Sequence, residues 1–434
     1  MQLGLDVGAT TVRLAVVDGG ELIRTAEITA GRDLRETLAA VRAELSGAHR
    51  LQEVRLAVVP TLAELNLSGV GHVRIAPATM PALQPFAAWP SELRAGLANR
   101  SVEVSGGSDY VGSNIVRASA SDLTAARAHL ERAGATHLVV SAAGAPSAPL
   151  LEREAAAVLA PDADFPVTLA HTVGGTGLRE REHAAVLNAG LVGWAERVVS
   201  DTRAVFPEAR LGFAHGLGGY GSAEELIRHP LGALHGRIAA AALGAMALTE
   251  SADFLLGVGE SGGVRLVGVT GGVLDRADVE ALWGTTHNSL ALDLVEIRCR
   301  SRAELAASPE IARMLARRPG YPVVVAGQIG EAASAEGEST RADGGIVSMP
   351  FALAYGSVLG RVTVALERVV PRPPGASAAA TSQAEGLVEE ATTRAILAGA
   401  DPARIQAAVI DVRALAYVAE AVDTVRVRVS GEPQ

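Results

Sequence analysis

"LGLDVGATTVRLAVVDG", residues 3–19, decides how the chain is read. Apolar runs at 2–8 and 11–18, rich in Val and Leu, flank a short polar tip, Asp6-Val7-Gly8-Ala9-Thr10-Thr11. Two strand-like runs around a glycine-bearing tip predict a β-hairpin. A tip of Asp-x-Gly-x-Thr-Thr type can wrap a phosphate with backbone N–H groups and threonine hydroxyls, because glycine lets the backbone approach closely. Asp6, at the strand end, has the chemistry to hold a hydrated magnesium ion. The pattern is short, and a plain hairpin whose glycine makes the turn carries the same letters. The cofactor-binding candidates of this tip are Asp6, Gly8, Thr10 and Thr11, with Asp6 also the metal candidate.

A second hairpin echoes the first. "ADFLLGVGE" and "GGVRLVGVTGG" enclose the tip "GVGESGG" at 257–263, which supplies Gly259, Ser261 and Gly262 as candidates for a facing phosphate loop. The strand "PVVVA" at 322–326 leads into "VAGQIGE", where Gly327 and Gly330 can pass an adenosine over the backbone; a plain strand-to-helix turn reads the same way. A repeated hairpin-led unit points to an internal duplication.

Between these landmarks, helical periodicity at 33–46, 122–133 and 148–159 alternates with strand-like runs at 53–59 and 136–142. Such alternation predicts an α/β sheet with helical crossovers. Residues 66–90 read as loop. A long helix begins near Glu180, and "GRIAAAALGAMALTE" forms another. Further on, a helix is expected at 352–368, a linker at 371–383 by composition and a helix at 383–399 ending at Gly399. "IQAAVIDVRAL" and "TVRVRVSG" read as closing strands, and "TTHNS" at 285–289 as a turn. The expected division is 1–165 and 166–370 as two lobes, 371–383 as linker and 384–434 as a C-terminal helix with strands.

The densest polar stretch is "LAHTVGGTGLREREHAAVLNAGL" at 169–191. Glu180 and His183 are three apart and share a helix face, a spacing that can bind a metal or pair a general base with its orienting acid. A solvated helix start, with Glu180 and Glu182 favoured by the dipole, accounts for the same letters. His171 lies in the preceding loop, beside Gly174, Gly175 and Gly177. The catalytic candidates are Glu180, Glu182, His183, Asn188 and His171. His215 and His235 are further histidines, too loosely spaced for a zinc site.

Composition removes several alternatives. A net charge of −10 argues against sequence-independent nucleic-acid binding. All 38 basic residues are arginine, so lysine nucleophiles and Schiff bases are excluded. The single cysteine, Cys299, permits no intrachain disulfide and is expected as a small packed side chain. No basic region precedes an apolar one at the start, and no unbroken run of 18 apolar residues is found; a cytoplasmic chain with no membrane contact is expected.

Taken together these stretches resemble the hydantoinase A / 5-oxoprolinase family in its shorter bacterial form. "LGLDVGATTVRLAVVD" resembles the family's N-terminal phosphate hairpin, "GTGLREREHAAVLNAGL" its Glu-Arg-Glu-Asn and Leu-Asn-Ala segment, and "HPLGALHGRIAAAALG" the place of its Ser-Gly-Pro helix. "VRIAPATMPALQPFAAWPSELRAGL" with "VEVSGG", and the C-terminal "AILAGADPARIQAAVIDVRALAY" and "VRVRVSG", resemble its connector and closing region. The resemblance implies an α/β fold of two ribonuclease-H-like lobes, of the actin, sugar-kinase and Hsp70 type, around a central cleft, plus a small C-terminal α/β region. It implies ATP and magnesium as cofactors and activation of a cyclic amide for ring opening. It also implies a small-molecule substrate and, as partner, a second hydantoinase-type subunit or further copies of the chain.

The departures are specific. Ala9 stands for a usual glycine, and Val12-Arg13 for a Thr-Asp pair. "VVPTLAELN" with Pro60 replaces a Gly-Thr-Thr-His strand end, Gly257 takes the place of an aspartate, and the adenosine glycines are reduced to "AGQIG". The expectation is therefore a divergent enzyme acting on a cyclic amide or related C–N bond, with an eroded nucleotide grip. The alternative is a catalytically inactive subunit that supports or regulates a partner chain.

Overall fold

A computed structural model describes residues 1–45, 51–77, 84–161, 165–216, 219–260, 262–327, 329, 340–341, 345–372, 378–415 and 421–434. The chain is a mixed α/β structure. The opening hairpin forms as the sequence predicts: Gln2–Val7 pairs antiparallel with Thr11–Asp18, which pairs with Glu21–Thr29. Gln2–Val7 also runs parallel to Glu53–Ala57, which runs parallel to Arg210–His215. The helix Leu34–Glu44, capped by the Asp33 side chain accepting from Glu36 N–H, makes the crossover.

The second hairpin repeats this order. Phe254–Glu260 pairs antiparallel with Gly263–Thr270, and that strand with Val273–Leu274. Phe254–Glu260 runs parallel to Val323–Ala326, which runs parallel to Ile346–Met349. Each sheet thus reads third, second, first, fourth, fifth, with the same senses. A helix follows soon after each fifth strand: Gly236–Thr249 in the first unit, Ala352–Leu359 in the second. These two helices pack against each other where small residues remove the side chains. A Cβ on Gly244 would lie 1.8 Å from the Ala352 carbonyl oxygen, and one on Gly356 would lie 1.8 Å from that of Ala240. The contact is reciprocal, as a duplicated unit requires.

The first sheet is extended to nine strands by Gly219–Gly221, Arg361–Pro371, Val422–Pro433 and Ala400–Ala414. It draws strands from both ends and the middle of the sequence. A separate four-stranded parallel sheet (Ser101–Val104, Val70–Ile75, His137–Ala142, Val167–Leu169) packs against the helix Leu178–Val205.

Several expectations are corrected. Residues 352–368 are not one helix. The helix stops at Leu359, Gly360 breaks it, and "RVTVALERVVP" runs on as the strand Arg361–Pro371, as its β-branched residues favour. Within 66–90, read as loop, Val70–Ile75 is a fully buried central strand. "TTHNS" is not a simple turn, because Thr285–His287 pairs with Glu280–Leu282. The linker shrinks, since the strand reaches Pro371 and the next helix, Ala378–Leu397, begins five residues before the expected 383. Of the glycine-tip candidates, Ser261 and Gly330 lie outside the described residues. Among the described residues one stretch, Pro230–Thr249, is long and apolar enough to cross a membrane, and 78% of its most apolar window is buried inside the protein. Cys299 is a buried member of an apolar cluster with Leu305 and Met314.

Candidate active site

Two places gather the chemistry-bearing residues: the junction of the hairpin tips, where the resemblance implies a cleft, and a large cavity farther along the chain.

At this junction strand ends of the two sheets meet. Gly327, at φ +78°, approaches Gly259, and a Cβ there would be 3.3 Å from the Gly259 carbonyl oxygen and 3.9 Å from Arg13 Nη1. At the opening tip, Gly8 N–H donates to the Thr11 carbonyl at 3.0 Å, with Thr10 exposed. Gly262 turns the second tip at φ +98° with open space around it.

Asp6 is 1% exposed and held by arginines. Arg237 Nε donates to Oδ1 at 2.8 Å and Nη2 to Oδ2 at 3.3 Å. Arg13, directly across the hairpin from Asp6, brings Nη1 to 3.8 Å from Oδ2 and pairs through Nη2 with Glu27 at 2.7 Å. Magnesium needs oxygen ligands free of competing cations. Here both carboxylate oxygens already face guanidinium groups, so these residues do not fit a magnesium ion at Asp6. The Arg13 departure noted in the sequence is one cause; Arg237, in the first turn of the helix Gly236–Thr249, is the other.

The helix Leu178–Val205 sends its candidates in different directions. Glu182 is fully buried and takes Arg74 Nε on Oε1 at 2.6 Å and the Ser141 hydroxyl at 2.9 Å; Arg74 Nη2 binds the other oxygen. His183 Nδ1 lies 2.7 Å from the Thr286 carbonyl oxygen, and the ring packs edge-on to Trp89. Burial pulls its pKa down despite that hydrogen bond. Glu180 stays at the helix start beside Arg179, 3.4 Å away. Asn188 holds backbone: it donates to the Arg228 carbonyl at 3.0 Å and accepts from Leu231 N–H at 3.2 Å. Among the described residues no three His, Cys, Asp or Glu side chains converge to hold a metal.

The cavity, about 1010 Å³, lies among the 169–175 loop, the Ala378–Leu397 helix, the 270–293 segment and the C-terminal strands. His171 and Asn188 reach its wall; Glu180, Glu182 and His183 do not. His171 Nδ1 is 2.6 Å from Glu152 Oε2, and His171 N–H donates to the same oxygen at 2.9 Å. A carboxylate only accepts, so Nδ1 carries a proton, and in the neutral form of the ring the lone pair is on Nε2. That Nε2 is buried without a hydrogen-bond partner. Glu152 is itself fully buried, and its Oε1 accepts from Ala142 N–H at 3.0 Å. The pair is an oriented base: an acid behind, an imidazole ahead. The glycine loop that carries it is fixed by Asn288, which accepts from Gly175 N–H at 3.0 Å and donates to the Gly177 carbonyl. His215 and His229 also line the cavity, each held neutral by burial with its pKa pulled down to about 4.

Sequence reasoning missed Glu152. In "LLEREAAA" Glu152 and Glu154 look alike, yet the first is buried behind His171 and the second exposed in a pair with Arg117. No local signal separates them. It also missed Arg237 and the cavity arginines, although the Arg-Val alternation in "TVRVRVSG" was open to view.

No family model matches this sequence, and no curated protein matches it. Solved structures do. The chain superposes on an ATP-dependent caprolactamase from Pseudomonas jessenii with TM-score 0.71 at 13% identity, covering 100% of this chain and 88% of that one. It superposes on the nucleotide-free structure of acetone carboxylase, from a study of ATP-dependent acetone carboxylation, with TM-score 0.63 at 11% identity, covering 99% and 88%. Both are hydantoinase/oxoprolinase-family proteins. At these identities the likeness shows the fold alone, a mixed α/β fold similar to that of hydantoinase-family proteins.

Proposed function

We propose that this chain is a divergent hydantoinase-type hydrolase that opens a C–N bond of a cyclic amide or related small metabolite within the cavity. The observation that carries the reading is the Glu152–His171 pair in the cavity wall. Water attacks the amide carbonyl carbon while His171 Nε2 takes the water's proton. The imidazolium, steadied by Glu152, then returns that proton to the departing nitrogen as the C–N bond breaks. The hydrolysis consumes one water, and no step passes through a nucleotide. The two sheets with matching strand order support a pair of ribonuclease-H-like lobes, the architecture that the resemblance implies. The two structural neighbours are named for ATP-dependent reactions. In this chain the arginines on Asp6 argue against that cofactor in its magnesium form.

The test is purified protein incubated with a panel of hydantoins and lactams, with and without Mg-ATP, reading ring-opened product. Product that forms without nucleotide and disappears in His171→Ala supports the reading. Product that needs ATP, or that survives His171→Ala, overturns it.

A second reading is favoured by the same Asp6–Arg237–Arg13 cluster: an inactive subunit whose cleft has been closed by ion pairs and whose surface supports a second hydantoinase-type chain or another copy of itself. It predicts no turnover from the isolated protein and recovery of a partner at stoichiometric yield.

A further inference from the structure

Two buried charges of opposite sign stand beside the His171 loop without a permanent counter-charge at contact distance. The first is Arg181, near the start of the helix Leu178–Val205 and fully buried. Among the described residues no carboxylate lies within ion-pair distance of it. Its donors go to backbone carbonyls: Nη1 to Gly175 at 3.1 Å and Thr176 at 2.8 Å, Nη2 to Ala142 at 2.8 Å. Its Nε is buried without a hydrogen-bond partner. The second is Glu152, whose oxygens accept only from Ala142 N–H and from His171 among the described residues.

One residue joins the two. Ala142, the last of its strand, accepts from Arg181 through its carbonyl and donates to Glu152 through its N–H at 3.0 Å. A guanidinium does not shed its charge in a protein, and a buried charge without an opposite one is costly. Burial pulls the Arg181 pKa down, and Glu152 is the foremost of the acids that oppose this, ahead of Glu182 and Glu180. Glu182 already has Arg74, and Glu180 has Arg179 beside it at the helix start. His72 also feels Glu152, but burial holds it neutral, with its pKa pulled down to about 3. On the far side the loop meets Asn288, an uncharged amide. Arg181 and Glu152 therefore cancel, and a proton added to His171, whose side chain is 2% exposed, would leave a buried excess of one positive charge.

We propose that Arg181 is a positioning residue for His171: it balances the Glu152 carboxylate across Ala142, keeps the imidazole in its neutral form, and pins the loop that carries the ring. Without it, Glu152 would draw a proton onto the imidazole and hold it there as an ion pair, and Nε2 would have no lone pair to offer. The packing fits this close hold on the loop. A Cβ on Gly174 would lie 2.8 Å from Arg181 Cα and Cγ, so only glycine lets the loop lie on the arginine. The proposal rests on the reading of His171 as the base, but its test needs no substrate.

The test is NMR of the full chain with 13C-labelled histidine, the His171 signal being assigned by its loss in His171→Gln. Arg181→Gln should move the His171 titration midpoint up by about one pH unit or more. Arg181→Lys, which restores the charge but not the planar fork, should bring it most of the way back. An unmoved midpoint, or equal midpoints in the Gln and Lys variants, overturns the proposal and leaves Arg181 a structural clamp. Should Arg181→Gln not fold, the same change is made in Glu152→Gln, where no buried acid is left unbalanced. The midpoint should then rise from that of Glu152→Gln alone, and no rise overturns the proposal. A raised midpoint in a chain that cleaves no amide would keep Arg181's role and remove the hydrolase reading. Cleavage that needs His171, with a midpoint indifferent to Arg181, would do the reverse.

Discussion

The cleft and the cavity are both rich in arginine, and they use it in opposite ways. In the cleft every charge named has its counterpart: Asp6 lies between Arg237 and Arg13, and Arg13 also reaches Glu27. In the cavity, among the described residues, no carboxylate comes within ion-pair distance of the exposed Arg276, and His171 Nε2 has no hydrogen-bond partner. A buried ion pair that is complete is a structural joint, because desolvated charge tolerates no further partner without loss.

The comparison breaks most visibly at Asp6. Asp6→Ala would leave Arg237 and Arg13 buried without their shared acid, and urea unfolding should report a loss of about 3–5 kcal/mol. A loss within experimental error would mean the cleft is not a joint at all.

In the cavity the corresponding change should strike activity and spare stability. His171→Ala should lower amide turnover by about 10²–10⁴. Glu152→Gln should lower it less and shift its pH profile, because the amide still holds the ring but no longer steadies the imidazolium. Equal losses of folding free energy and turnover would assign the pair to structure alone.

Acid should weaken the protein through the cavity histidines. His215 and His229 titrate near 4 when folded and near ~6.5 when unfolded. Between those values the unfolded chain binds more protons, so the stability they contribute is complete above pH ~6.5 and lost as pH falls toward 4. Each adds a slope of about 1.4 kcal/mol per pH unit in that window. His215→Asn should remove one such slope from melting curves recorded between those limits.

The smallest effects test the cleft's closure and the cavity's openness together. Mg-ATP at millimolar concentration should leave the melting temperature unchanged, whereas a ligand at a hundredfold its dissociation constant would add about 2.7 kcal/mol. Arg276→Gln should change stability by no more than about 0.5 kcal/mol, since no ion pair is broken. A clear nucleotide shift would reopen the cleft as a site.

Much of the fold was legible. The hairpin at 3–19, its echo at 257–263 and the strand–helix alternation carry their own periodicities, and the duplicated strand order followed from them. The errors arose where tertiary context overrode local signal. The apolar residues after Gly360 continue the preceding helical pattern, but the nine-stranded sheet takes them as an interior strand between Gly219–Gly221 and Val422–Pro433. Val70–Ile75 was masked by the prolines that follow it. The site was less legible. Of the five catalytic candidates, His171 and Asn188 reached the cavity, while Glu182 became half of a buried pair with Arg74, a residue 108 positions away in sequence.

The sequence by itself determined the repeating α/β plan and the absence of lysine chemistry, because these depend on residue type and spacing along the chain. Only the tertiary structure decided that Asp6 is locked by Arg237 and that Glu152 stands behind His171. Each of those facts is a contact between segments far apart in sequence. The strength and sign of an electrostatic contact depend on distance and on exclusion of water, and packing alone supplies both.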